Sequence, residues 1–273
     1  MSEPLRIARY LGQDGEILEG VVLGEESDFA NLSKLPNLQI QEVSGLDSML
    51  RGGRRIGAAR PITEVQLLPF GTGHKVVAVG RNYGAHAKEL GNAVPKEPLI
   101  FIKPASALLG HGQSIVLPRA SAEVHHEAEL AVLIGRRLQE ASEAECEQAI
   151  AGVTCLNDVT ARDIQRAEVQ FTRAKSYDTF CPVGPWVRVG LDWRDLRVQC
   201  RVNGEIKQDG RTSDQVFPLP QLLAYISACM TLEPGDVVST GTPSGVGAIH
   251  AGDLVEIEVE GVGILSNPVR ARE

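Results

Sequence analysis

Short apolar runs bounded by Gly, Pro, Asn or Asp recur along the chain, and few segments carry the spacing of an amphipathic helix. Arg6-Ile-Ala-Arg-Tyr10 and Glu19-Gly-Val-Val-Leu23 flank a turn with Gly12 and Asp14-Gly15, which predicts a small hairpin. A polar stretch from Ser27 to Leu35 follows, then a helix expected around Gly45 to Arg51. The stretch from Arg60-Pro61 to Gly71 reads as a connecting strand and linker. Lys75-Val-Val-Ala-Val-Gly80 has the composition of an interior strand, and the main domain is expected to begin there. Further strands are expected at Pro98 to Ile102, Ile115 to Leu117, Val124 to Gly135, Val153 to Asn157, Trp186 to Val189, Val198 to Val202, Val237 to Thr240 and Leu254 to Val259. Two helices stand out. One runs from about Ser142 to Ile150, opened by the capping box Ser142-x-x-Glu145, and the other from Leu219 to Met230. Many strands and few helices predict a β-rich α+β fold. Residues 1–70 are read as a small N-terminal domain and residues 71–273 as the catalytic domain.

Composition narrows the classes. With 43% hydrophobic and 23% charged residues in 273, the chain can bury a sizeable core. A net charge of −8, a pI near 5.4 and no cluster of Lys and Arg argue against a nucleic-acid partner. No apolar stretch approaches the roughly 20 residues that span a bilayer. The start, Met-Ser-Glu-Pro-Leu-Arg, lacks a signal pattern, so a cytoplasmic location without membrane partners is expected. Cys146, Cys155, Cys181, Cys200 and Cys229 are odd in number and contain no C-x-x-C pair, so buried thiols are expected rather than disulfides or a zinc cluster.

Candidate chemistry gathers around acids carried toward a core. In Val124-His-His-Glu127-Ala-Glu129-Leu-Ala-Val-Leu-Ile-Gly135, strand alternation puts His125, Glu127 and Glu129 on one side with Ala131 and Leu133. A pair of acids there is protonated, paired with cations or holding a metal, unless the strand begins in solvent. Asp158 ends the apolar run Cys155-Leu-Asn157 before a polar, helix-like turn, as a third ligand or as an N-cap. If the three converge, they form a hard oxygen site for Mg²⁺ or Mn²⁺. His125 and His126 then read as neighbours of the site, because magnesium prefers oxygen.

His86 and Glu89 lie three apart after the strand ending at Gly80. On a helix they share a face, where the carboxylate can hold the ring and raise its basicity, or they simply lie on a solvated face. Gly84 and Gly91 flank this segment as hinges for a lid. Arg81, Lys103 and Lys175 are the cations in apolar or turn contexts. Ser239-Thr-Gly-Thr242-Pro-Ser-Gly-Val-Gly247 is either a cradle of donors for a carboxylate or a plain turn, and it lacks the phosphate-loop pattern.

Over roughly residues 75 to 265 these segments together resemble the fumarylacetoacetate hydrolase superfamily, in particular its acylpyruvase-like branch. The resemblance rests on V-G-R-N-Y-x-x-H-x-x-E (Val79 to Glu89), F-I-K-P (Phe101 to Pro104), H-H-E-x-E-L (His125 to Leu130), D-x-T-A-R-D-x-Q (Asp158 to Gln165), A-K-S-Y (Ala174 to Tyr177) and T-G-T-P-x-G-V-G (Thr240 to Gly247). It implies a mixed β-roll, a homodimer, and Mg²⁺ or Mn²⁺ held by Glu127, Glu129 and Asp158. It further implies a lid dyad of His86 and Glu89, Lys175 as the active-site cation, and Arg81, Tyr83, Gln165 and Thr242 around a small 2-oxo acid or diacid. The implied reaction is hydrolytic C–C cleavage of a 2,4-dioxo acid of acylpyruvate or fumarylpyruvate type through a metal-stabilised enolate. The same electron sink serves decarboxylation of oxaloacetate, or isomerisation of a dienoic 2-oxo diacid from aromatic catabolism. An intact dyad favours hydrolysis. A silent binding protein would have lost a metal carboxylate or the lysine, and a zinc hydrolase would need H-E-x-x-H; neither is seen.

Overall fold

Val76, Val77, Ala78 and Val79 are buried on both faces, as an interior strand requires. In the computed structural model, which describes residues 5–44, 54–71, 74–89 and 91–273, Val76–Gly80 pairs parallel with Val237–Ser239 and antiparallel with Leu99–Lys103. The helix expected over Gly45 to Arg51 lies outside the described residues. Ala128–Ile134 is wholly buried and lies between Ile150–Asn157 and Val237–Ser239 in the same sheet. This twelve-stranded sheet runs in the order 60–61, 39–42, 17–23, 6–11, 181–188, 150–157, 128–134, 237–239, 76–80, 99–103, with short strands 66–68 and 108–109 branching from it. A five-stranded sheet (205–211, 197–202, 254–259, 263–271, 115–117) and a three-stranded one (160–161, 124–126, 247–248) complete a β-rich roll.

The hairpin at the start forms as expected, Arg6–Leu11 against Ile17–Leu23. Arg6–Leu11 also pairs with Cys181–Arg188, through Arg6 opposite Arg188 and Ile7 opposite Val187, so the first segment extends the main sheet. The Arg6 guanidinium donates to the carbonyls of Gly261 and Val262, meets Glu26 at 2.6 Å and stacks 3.6 Å over Phe29. Ser142 caps the helix Glu143–Ala149 with both halves of the expected capping box. The helix Leu219–Cys229 packs against it. No helix among the described residues is long and apolar enough to cross a membrane.

One expectation is corrected. The stretch from Val124 to Gly135 is two strands in different sheets, Val124–His126 and Ala128–Ile134, and the chain switches sheets at Glu127. Side chains replace ladder partners at the break: Asn157 Oδ1 accepts from the Glu127 amide and Gln208 Oε1 from the Ala128 amide, both at 2.9 Å. His125 therefore leaves the side shared by the two acids and meets Glu123 at 2.9 Å. The strand Glu205–Arg211 gave no sequence signal, since it is polar and Gln208 is its only fully buried residue.

Candidate active site

Strand ends and the sheet switch bring the three acids together. Glu127 occupies the switch, Glu129 is the second residue of Ala128–Ile134, and Asp158 directly follows Ile150–Asn157, the antiparallel neighbour. All three are buried, and one oxygen from each lies within 4.8 Å of the others. Asp158 is not a helix cap: the helix Arg162–Ala167 begins after Ala161, and both Asp158 oxygens face lysines.

The acids are individually supported. Glu127 takes the Arg162 guanidinium on one oxygen and Lys175 Nζ, at 2.6 Å, on the other. Asp158 takes Lys103 on one oxygen and Lys175, at 2.6 Å, on the other. Glu129 Oε2 accepts from the Ser239 hydroxyl and, at 2.8 Å, from the Gly241 amide, while Oε1 has no protein donor among the described residues. Burial works to raise the Glu127 carboxyl, but Lys175 and Arg162 outweigh it and hold it below the usual range. Burial also disfavours the Lys175 ammonium, yet Asp158 and Glu127 keep it above its ordinary value. Glu129 has no cation of its own. Burial, then Asp158 and Glu127, push it well above the usual carboxylate range. Three converging hard oxygens, one of them on an acid without a counter-ion, fit a divalent cation.

These acids line a cavity of about 310 Å³ with Val79, Gly80, Arg81, His86, Asn92, Phe101, Arg162, Gln165, Arg166, Phe171, Lys175 and Thr242. That size is at the small end of ligand pockets. The helix Gly84–Glu89 brings His86 to the wall with its Nδ1 3.3 Å from Glu89 Oε2. Glu89 itself does not line the cavity; its two oxygens accept from the Gly245 amide at 3.0 and 3.2 Å. Asn82 fixes the preceding turn through Thr240 O and both polar backbone atoms of Phe217, and Arg81 takes a left-handed φ of 58° there. Among the described residues Arg81 is the one lining cation without a protein partner, since Arg162, Arg166 and Lys175 all meet carboxylates. Gln165 accepts from Arg162, and its NH₂ has no protein acceptor among the described residues.

Two expected substrate contacts are placed differently. Tyr83 is buried and outside the cavity lining, its hydroxyl 3.4 Å from Gln215 Nε2 and its phenol pushed far up by burial. Thr242 lines the cavity, but its hydroxyl already donates to Ala128 O and accepts from Gln208. Sequence reasoning gave no role to Arg162, Phe101 or Phe171, and left Lys103 as an unplaced cation. Lys103 was findable as a charge ending an apolar strand, whereas Arg162 carried no local signal beyond its motif.

Residues 75–270 match the family described as Fumarylacetoacetate (FAA) hydrolase C-terminal. A crystal structure of 2-hydroxyhepta-2,4-diene-1,7-dioate isomerase from Mycobacterium marinum superposes with a TM-score of 0.87 at 39% identity, covering 98% of this chain and 99% of that one. The mitochondrial oxaloacetate tautomerase of Arabidopsis thaliana is 42% identical over 209 residues, 74% of this chain and 94% of the relative. The mitochondrial oxaloacetate decarboxylase of Dictyostelium discoideum is 41% identical over 198 residues, 70% and 91% of the two chains.

Proposed function

Because the chain belongs to the fumarylacetoacetate hydrolase family, we propose that it is a divalent-metal-dependent enzyme that moves a proton at the carbon beside the keto group of a small 2-oxo diacid. Keto–enol tautomerisation or double-bond isomerisation is the outcome. The observation that carries this reading is one small cavity holding both a three-carboxylate cluster and an imidazole backed by a carboxylate. Glu127, Glu129 and Asp158 would hold Mg²⁺ or Mn²⁺, which when bound supplies Lewis acidity toward the oxygens of a 2-oxo acid.

The protein's own groups supply the rest. His86 takes the proton from carbon 3, or returns it there, while Glu89 holds the ring from behind. Lys103, Arg162 and Lys175 match the three acids in number, though they pair only with Glu127 and Asp158, so a bound divalent ion and Arg81 leave the cavity positive, which selects an anionic ligand. Arg81 receives the distal carboxylate and the Gln165 NH₂ donates to the substrate. The relatives named for reactions of oxaloacetate and of a dienoic dioate support a diacid.

Hydrolytic C–C cleavage of a 2,4-dioxo acid is the second reading, and the same dyad favours it. The imidazole that reaches carbon 3 would serve equally to deprotonate water, which adds to C4 as the C3–C4 bond breaks and carbon 3 takes a proton. Decarboxylation of oxaloacetate follows if the bond to CO₂ breaks instead. A homodimer belongs to the proposal as well, supported by exposed Leu99 and Ile102 on the terminal strand of the large sheet, and sedimentation would check it.

Metal-stripped protein incubated with oxaloacetate, a 2-hydroxydienoic diacid, acetylpyruvate and fumarylpyruvate, with and without Mg²⁺, tests the proposal. Mg²⁺-dependent loss of enol absorbance from a diacid, without matching release of pyruvate or CO₂, is expected. Pyruvate release from a dioxo acid at higher kcat/KM would favour the second reading, and full turnover in chelator would sink both.

A further inference from the structure

Gln208 lies on the polar strand Glu205–Arg211 and bonds none of Glu127, Glu129, Asp158, His86 and Glu89, yet it is 1% exposed with its hydrogen-bonding capacity filled. Its Oε1 accepts from the Ala128 amide at 2.9 Å, at the sheet switch between Glu127 and Glu129. The same oxygen is 2.9 Å from His126 Nδ1. Its Nε2 donates to Thr242 Oγ1 at 2.7 Å and to Pro243 O at 2.8 Å. The Ala128 N–H fixes which end of the amide is oxygen, and the oxygen in turn requires the proton of His126 on Nδ1. The loop that Gln208 grips continues to Gly245, whose amide holds the Glu89 carboxylate facing His86. Gly245 has a φ of 98°, and a Cβ there would meet Lys207 O at 2.1 Å, so the strand bearing Gln208 sets the course of the loop.

The geometry points to Gln208 as a positioning residue that holds the metal-ligating segment and the proton-transfer dyad in register, an inference that rests on the function proposed above. One amide ties the backbone between two carboxylates to the loop that latches the lid helix. Gln208 touches no reacting atom. Its influence passes along two paths, through Ala128 to Glu127 and Glu129, and through residues 242–245 to Glu89 and His86.

Gln208→Met removes all four bonds at nearly constant volume, and Gln208→Asn keeps the amide but is one methylene too short to span both groups. In variants shown to be folded by circular dichroism, Mn²⁺ binding to the metal-stripped protein is expected to weaken on the order of tenfold. Hydrogen exchange in peptides covering 84–89 and 241–247 is expected to quicken. At saturating Mg²⁺, kcat should fall at least about tenfold while KM moves less than about threefold. In a Glu89→Ala background, Gln208→Met should cost less than about threefold more in kcat, because the path through the lid is already cut. Fully multiplicative losses in the double variant, or unchanged Mn²⁺ affinity and exchange in either folded variant, would overturn the assignment. If Gln208→Met does not fold, Gln208→Asn carries the same measurements. If the wild type turns over none of the 2-oxo acids, the functional reading fails, while Mn²⁺ binding and exchange still decide the role of Gln208.

Discussion

At the residue scale the site turns on Glu129, the one acid of the three without a counter-ion. Burial, then Asp158 and Glu127, push its carboxyl well above the usual range. Such a group holds its proton more tightly folded than unfolded, so metal-free protein loses stability as pH rises from the unfolded value through the raised one. Glu129→Gln removes that penalty at neutral pH. The metal-free variant should melt higher than metal-free wild type, by roughly 2 °C or more, and bind Mn²⁺ at least about tenfold more weakly. A lower melting temperature with unchanged Mn²⁺ affinity would make Glu129 a structural acid. Arg81 carries a second prediction, because charge-assisted hydrogen bonds contribute about 1.5–3 kcal/mol. Arg81→Met should raise KM for a 2-oxo diacid about 10–100-fold and leave a monocarboxylate substrate nearly unaffected; equal effects on both would detach Arg81 from the distal carboxylate. The convergence of the three acids was legible because charged residues beside apolar runs are conspicuous, whereas the pairing of His86 with Glu89 rested on their spacing and on the family resemblance. Gln208 was not, since a glutamine in Glu-Ile-Lys-Gln-Asp-Gly gives no sign that it alone is buried.

At the scale of elements, legibility followed how local the cause is. The helix Glu143–Ala149 could be read because its start is encoded within four residues, Ser142 accepting from the Glu145 amide and Glu145 from the Ser142 amide. Loss of such a cap costs about 1 kcal/mol. Ser142→Ala should therefore lower the melting temperature by about 2–4 °C and leave turnover unchanged, because no residue of that helix lines the cavity. A fall in kcat at unchanged stability would show that the helix reaches the site after all. The break at Glu127 was illegible for the opposite reason. Apolar alternation runs through it undisturbed, and the chain changes sheets because Asn157 and Gln208, 30 and 80 residues away, take the amides that a ladder would have used. The helix Gly84–Glu89 is too short for any periodicity, and only the spacing of His86 and Glu89 marked it.

At the scale of the molecule, strand count alone pointed to a β-rich fold, but the place of the first segment depends on pairing that spans most of the chain. Cys181–Arg188 is buried along its whole length, and part of that cover is Arg6–Leu11. Ile7, Ala8 and Tyr10 are fully buried, and Tyr10 belongs to the same apolar cluster as Leu130 and Trp186. Burying a large apolar side chain contributes about 1.5–3 kcal/mol, and an uncovered apolar edge is a template for aggregation. The boundary near residue 70 is then a boundary of motif content more than of core. Chain 71–273 expressed alone should aggregate, or melt more than about 10 °C below the full chain, with co-expression of residues 1–70 restoring solubility. A truncated chain that stays soluble, melts within a few degrees of the full one and keeps its Mn²⁺ affinity would instead make the first segment an appendage. The site would then depend only on strands from Val76–Gly80 onward, the stretch that bears every lining residue of the cavity.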